Sequence, residues 1–388
     1  MFKLNSKIFI RKYLVPLSSK FLKYRLPYGI QEGYIIVNKE STFNKNNFFK
    51  KLEYYVPMLT VQIIYVTNKI PLKYYFMKNP ILTYGFKYKL SERFFLNIFN
   101  LDEINNPTEA WAWHRLINYL NPKQDDILLS SKQRFKKELK SIMHEKYEKS
   151  YIFGTGPSLI NADKYDWSDG YRIVCNTIVK SDKLWKNINP HFIVAGDAIH
   201  HFSHTNYAKA FRKDLAYRLE NSKVLFIYPE LFHKFIINEF SNYKSQLFPI
   251  PSSHYETILI NLTLNFVKPS TENILSMLQF PLAYTLSKKI FFYGYDGRGK
   301  NDKMFWESSK EYNYIEYMPE LHTEFPGFFD YYINNQKDKN SYVNKVHGDY
   351  LDNEFIKAEN EGYSLVMLHK SHTETFQKRY KTKALKIK

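Results

Sequence analysis

The sequence predicts an α/β fold: a Rossmann-like parallel sheet forming one nucleotide-binding domain with a lid insertion, preceded by an N-terminal α+β extension. Three observations predict it. From Ser150 onward, short apolar runs alternate with polar stretches of helical spacing, the pattern of βαβ units. The first run ends in Gly154-Thr155-Gly156-Pro157-Ser158-Leu159, a glycine turn between a strand and a helical stretch. Asn176, Asp197 and Asp296 end later runs, and the carboxyl ends of strands are where open α/β sheets bind ligands.

Residues 1–147 form the extension, whose role the sequence leaves open. YGIQEGYIIVN, YYVPMLTVQIIYV and ILTYGFKYKL are β-branched and aromatic runs bounded by Gly, Pro and Asn, and read as short strands. Leu96 to Leu120 reads as helical, with Asn106-Pro107-Thr108-Glu109 as a helix start ahead of AWAWHRLINYL. Ser130 to Ser150 is a charged amphipathic helix leading into the next domain. The nucleotide-binding domain spans 148–375. SYIFGTG, YRIVCN, HFIVAGD, KVLFIYPE, KKIFFYGYD and GYSLVMLHKS are its six strands. Ser270 to Leu286 is a helix capped by Ser270 or Thr271 and kinked by Pro281. A polar, aromatic stretch at about 297–346 follows a strand end, where lids arise. Residues 376–388 read as a disordered basic tail.

With 388 residues and 44% hydrophobic content, the chain can bury a sizeable core. The single cysteine, Cys175, excludes an intramolecular disulfide framework and a cysteine-rich metal site, and fits a reducing cytoplasm. The N-terminus mixes cations into every apolar run, so neither a signal peptide nor a transmembrane helix is expected. The formal charge of +18 attracts anionic partners without choosing among them. The basic tail suits a weak contact with the inner face of a membrane.

The glycines of the GTGPSL turn allow close backbone approach to a ligand, and a helix N-terminus offers N–H groups to phosphate. The turn lacks the full dinucleotide fingerprint, so a nicotinamide cofactor is not expected. A plain strand-to-helix turn is the alternative. Asn176 and Asp197 are candidate ligand contacts, or simply turn formers. Gly294 to Lys300 ends the fifth strand with Asp296, Arg298 and Lys300, the base of a mobile lid reaching an anionic substrate, or else a solvated turn. His200, His201 and His204 invite a metal reading, with His200 and His204 at i, i+4. They lack the acidic partner of a zinc-protease motif.

These motifs resemble those of the bacterial sialyltransferases of lipooligosaccharide synthesis and, more loosely, uncharacterised GNGPSL-type proteins of polysaccharide loci. GTGPSL is similar to the family's GNGPSL turn, with Thr155 in place of Asn. VCN at Val174 to Asn176 is similar to its RCN, and FFYGYD at Phe291 to Asp296 to its LSGID strand end. His347, followed five residues later by Asp352 and a helix into GYSLVML, resembles its post-lid segment, in which the His is the general base. The likeness covers about Tyr151 to Ser371. The family's lid tyrosines lack clear counterparts, since Arg298 and Met304 fall at those places. Its Ser-Gly pair is replaced by Thr271-Glu272-Asn273, with Lys268 as a loose match for the preceding basic residue.

The resemblance implies an inverting glycosyltransferase that moves sialic acid or a related acidic sugar from a CMP donor to a glycan or lipid-linked glycan, without metal or other cofactor. His347 would be the base. Gly154, Thr155, Gly156, Pro157, Ser158, Asn176, Asp197, Thr271 and Asp296 would hold the nucleotide. Arg298 and Lys300, or Tyr312 and Tyr314, would stabilise the leaving phosphate. No nucleic acid partner is expected, and self-association is left open. Two other classes remain. One is a Mg²⁺-dependent pterin or nucleotide pyrophosphokinase, in which Asp197 and Asp296 bind the metal. The other is a non-enzymatic module gripping RNA or an anionic glycan.

Overall fold

The computed structural model describes residues 32–67, 69–86, 95, 97–102, 106–299, 309–331, 348–381 and 387. The chain divides into two compact units: Met1–Lys123 with Ser203–Thr205 and Glu320–Asn335, and the remainder.

The first unit carries β1 (Glu32–Asn38), α1 (Lys45–Tyr55), β2 (Thr60–Val66), β3 (Ile81–Tyr84), β4 (Ile98–Asn100) and α2 (Glu109–Leu120). The three expected strands are present. β4 lies inside the stretch read as helical, and α2 begins where the Asn106–Glu109 signal placed it. Asn106 Oδ1 accepts the Thr108 N–H at 3.0 Å and the Thr108 hydroxyl at 2.7 Å, which sets the turn entering α2. All pairings are parallel in the order β2-β1-β3-β4, so the extension is itself a small α/β unit. Strand alternation explains its two faces. Ile35, Val37, Leu82 and Phe99 pack with Phe48, Leu52, Trp113 and Leu116 of α1 and α2, while Ile36, Ile81 and Ile98 pack with Tyr74. Lys51 is buried here against Glu109 at 3.3 Å, and Glu109 also accepts Trp113 Nε1–H at 2.6 Å.

The second unit begins at Gln124, so the helix assigned to the extension belongs to it. That helix, α3 (Asp126–Met143), is followed by β5 (Lys149–Phe153), β6 (Tyr171–Cys175), α4 (Asp182–Ile188), β7 (Phe192–Val194), α5 (Asn206–Asn221), β8 (Leu225–Pro229), α6 (His233–Glu239) and β9 (Leu247–Ile250). A π-helical turn (Leu275–Gln279), α7 (Phe280–Leu286), β10 (Lys289–Tyr293), α8 (Asp349–Asn360) and β11 (Ser364–Met367) complete it. Phe135 and Leu139, four apart on α3, join the core, Phe135 against Phe248 and Phe266. Burying such side chains contributes roughly 1.5–3 kcal/mol each.

The seven strands are all parallel, in the order β11-β10-β5-β6-β7-β8-β9. The sheet is Rossmann-like as expected, with one strand more than the sequence suggested. That strand, β9, contains Pro249 and lies at the edge, where a residue without an N–H is tolerated. The order reverses between β5 and β10. The helix before β10 starts later than expected. Its cap is Asn273, whose Oδ1 accepts the Leu275 N–H at 2.8 Å, rather than Ser270 or Thr271. Pro281 cannot donate in a regular α-helix, and the turn before it widens to π. Residues 376–381 of the tail expected to be disordered pack onto the domain. Arg379 is buried and bonded to Glu359 and Asp352, and Tyr380 bridges to Met367.

Candidate functional site

The carboxyl edge of the seven-stranded sheet collects most of the expected site. β5 runs into Gly154, β6 into Asn176, β7 toward Asp197 and β10 into Gly294-Tyr295-Asp296. The turn after β5 is fastened to the end of β10. Gly154 N–H donates to Tyr293 O at 2.8 Å and Gly156 N–H to Gly294 O at 2.9 Å. A Cβ at Gly154 would stand 2.6 Å from Gly294 O. One at Gly156 would stand 2.7 Å from the same oxygen and closer still to Asp296 Oδ2. These glycines are therefore required by the approach of one backbone to another.

The amides expected to cradle phosphate are already engaged. Asp296 takes the anion's place: Ser158 N–H donates to both carboxylate oxygens at 3.2 Å. The Ser158 hydroxyl lies 2.9 Å from Asp296 Oδ2 and 2.8 Å from His369 Nε2, just beyond β11. Pro157 opens a 3₁₀ helix (Pro157–Lys164), and Tyr312 donates its hydroxyl to Gly156 O at 2.9 Å. Thr155 is buried in the turn. The expectation of a free phosphate cradle in this turn is corrected on that account.

Asn176 sits at the end of β6 with φ +52°, a left-handed conformation that Asn tolerates better than most residues. Its Oδ1 is buried and has no hydrogen-bond partner among the described residues. Asp197 caps the next turn, with Oδ1 accepting the N–H groups of Ile199 at 2.7 Å and His200 at 2.8 Å. Burial alone would raise its pKa, but His200, His201 and the turn amide outweigh this and hold the carboxyl well below its usual range. His201 accepts the Asp197 N–H through Nδ1, and burial pushes its pKa down to about 3. Residues 200–204 form turns and bends rather than the helix face a metal pair requires, and His204 bonds Glu324 at 2.9 Å. Among the described residues, no group of three or more His, Cys, Asp or Glu is placed to hold a metal ion.

An open cavity of about 250 Å³ lies at the start of the helix that precedes β10. Glu256, Ser270 to Asn273, Ser276 and Tyr350 line it. Thr271 Oγ1 is buried and has no partner among the described residues. This helix start belongs to the strand-end edge: a Cβ on Gly196, just past β7, would meet Met277 Sδ at 3.2 Å and Ile274 Cδ1 at 3.5 Å. Gln279 ties the helix down by donating to Phe153 O at 3.0 Å and accepting the Tyr295 hydroxyl. Lys268, two residues before Ser270 of the lining, is half-buried, and desolvation lowers its pKa to about 8.

The lid expectation divides. Lys300, Met304 and His347 lie outside the described residues, whereas Arg298 is within them. Tyr312 and Tyr314 are buried and occupied, Tyr314 donating to Asp214 at 2.6 Å, so they are packing residues rather than open phosphate contacts. Thr177 and Lys180 hold Asn313 through its side chain at 2.8 Å and its carbonyl at 2.7 Å. Asp352 is bound to Arg379 at 2.6 Å and Lys378 at 3.0 Å, and these cations hold its carboxyl low against the opposing effect of burial. Sequence reading missed His369, which appeared only as part of the expected strand GYSLVMLHKS. Its position at the end of the last strand was the available signal.

Compared with protein-family models, curated proteins and solved structures, the chain finds no match. The likeness to sialyltransferases therefore rests on the four quoted motifs.

Proposed function

We propose that the protein is a glycosyltransferase whose nucleotide-sugar donor, a CMP-activated acidic sugar, binds along the carboxyl edge of the seven-stranded sheet. The cavity at Thr271 carries this reading. A buried hydroxyl without a partner costs stability, and a ligand that bonds it recovers that loss. Asn176 Oδ1 is a second acceptor of the same kind on the same edge. Asn176 also belongs to VCN, one of the motifs that resemble the sialyltransferases, whereas Thr271 stands where the family's Ser-Gly pair is replaced. Lys268, whose Nζ donates to Pro269 O at 3.4 Å, is the cation this reading assigns to a phosphate. The turn amides of Gly154, Gly156 and Ser158, being engaged, serve to shape the edge. In this reading His347 is the base that takes the acceptor proton, and Arg298 and Lys300 are assigned to stabilise the departing phosphate.

The test is a thermal-shift titration with CMP, UDP, GDP and ATP, each in EDTA and in Mg²⁺. A ligand at 100 times its Kd adds about 2.7 kcal/mol. Stabilisation by CMP in EDTA is expected. Thr271→Val weakens binding about five- to tenfold while leaving the unliganded melting point unchanged or raised, because the unpartnered hydroxyl is gone. Stabilisation by none of the nucleotides overturns the reading, and stabilisation only in Mg²⁺ moves it to metal-dependent chemistry. A His347→Ala protein with full transferase activity would remove that residue's role.

A further inference from the structure

The hydroxyl of Ser158 faces two acceptors that donor binding does not use. His369 Nε2 lies 2.8 Å from it and Asp296 Oδ2 lies 2.9 Å from it. The ring's tautomer follows from its other contacts. Gly294 N–H donates to Nε2 at 2.9 Å, so that nitrogen carries a lone pair. The proton is on Nδ1, which donates to Lys370 O at 2.8 Å. The imidazole is thus fixed by a backbone carbonyl. Its Nε2, which also accepts the Gly294 N–H, stands 2.8 Å from a hydroxyl whose one proton is donated to Asp296 Oδ2 at 2.9 Å. Passing that proton to Nε2 is what would make the serine a nucleophile. The group is reachable, since the side chains of His369 and Asp296 are 16% and 17% exposed. It sits where the strand order reverses, between the ends of β5 and β10.

We propose that Ser158 is a nucleophilic serine, with His369 as its base, that accepts the acyl group of a neutral activated ester. In the step, Ser158 Oγ bonds to the ester carbonyl carbon as the bond from that carbon to its leaving group breaks. The Ser158 proton passes to His369 Nε2 and from there to the leaving group, giving an acyl-serine and a neutral alcohol or thiol. Protonation of Nε2 deprives Gly294 N–H of its acceptor, and that amide becomes the donor for the carbonyl oxygen as charge develops there. Asp296 sets the electrophile's class. A carboxylate 2.9 Å from the attacking oxygen repels an anionic phosphoryl group and tolerates a neutral acyl carbon. This activity does not depend on the donor cavity.

The test treats the full chain with a neutral fluorophosphonate and with p-nitrophenyl acetate, followed by intact mass and peptide mapping. One adduct on Ser158 is expected, absent from Ser158→Ala, with its rate falling on acidification as general-base catalysis requires. His369→Gln should slow labelling by about 100-fold. If that variant melts early, the pH profile of the wild-type rate decides. No adduct on Ser158, a labelling rate indifferent to pH, or equal labelling of a folded His369→Gln protein each overturns the proposal. Because no nucleotide is involved, these outcomes are independent of whether CMP binds.

Discussion

Histidines held neutral in the fold make its stability depend on pH in a definite direction. His191 Nδ1 accepts the Arg172 N–H at 3.1 Å, and Nε2 lies 3.2 Å from Glu145. Burial and the Arg172 guanidinium together outweigh Glu145 and lower the His191 pKa from 6.5 to about 4. The unfolded chain therefore binds a proton from near pH 6.5 downward, while the fold resists it until about pH 4. The stabilisation is fully present above the unfolded value and is lost as pH falls through this window, by roughly 3 kcal/mol. His191→Asn keeps an acceptor but cannot titrate. Urea midpoints at pH 7 and 4.5 should show the wild type losing its advantage over this variant on acidification. A constant gap between the two would contradict the assignment. Individual site residues were only partly legible for a related reason: sequence shows residue type but not contact. Ser158 and His369 stand 211 positions apart. Asp296 was readable as a strand-end acid, but its occupation of the turn amides was not.

Elements were more legible than contacts, because periodicity is local and packing is not. Six of the seven strands of the larger sheet announce themselves as apolar runs. β9 did not, because Pro249 breaks the run and only its edge position permits the residue. α3 was readable as a helix, yet its membership in the second unit depends on Phe135 meeting Phe248, which no local pattern encodes. The GTGPSL turn was placed correctly between strand and helix, but a glycine needed for a ligand and one needed for a neighbouring loop look alike in sequence. Gly156 distinguishes them. Its φ of −74° is open to alanine, so substitution tests space alone. Gly156→Ala drives a methyl into Gly294 O and the Asp296 carboxylate and should destabilise the protein by about 1–3 kcal/mol. Adding Asp296→Ala should recover part of that loss in a double-mutant cycle. Neutral behaviour of Gly156→Ala would mean that the β5 and β10 loops are not held together as described.

At the scale of the whole molecule, the one cysteine reports how the larger sheet opens. Cys175 ends β6, is 1% exposed, and directs its thiol to Phe153 O at 3.4 Å. Burial pushes the thiol far above its usual pKa, and only the thiolate reacts, so labelling requires the sheet to open first. β6 is an interior strand with β5 on one side and β7 on the other, and the core of this unit is a continuous cluster that runs from α3 to the short helix after β11 (Glu374–Gln377). A strand so placed cannot be exposed without parting that core. Labelling by an aromatic disulfide reagent should therefore be slower than in urea-unfolded protein by the full unfolding equilibrium constant. The free energy it reports should equal that from the urea transition of the same unit. Under the proposed function, CMP at 100 times its Kd should slow labelling about 100-fold further, since a ligand bound only by the folded sheet must leave before the sheet parts. Labelling at a much smaller free energy, untouched by CMP, would show that β6 frees itself by a local opening and that the sheet is less cooperative than its packing requires.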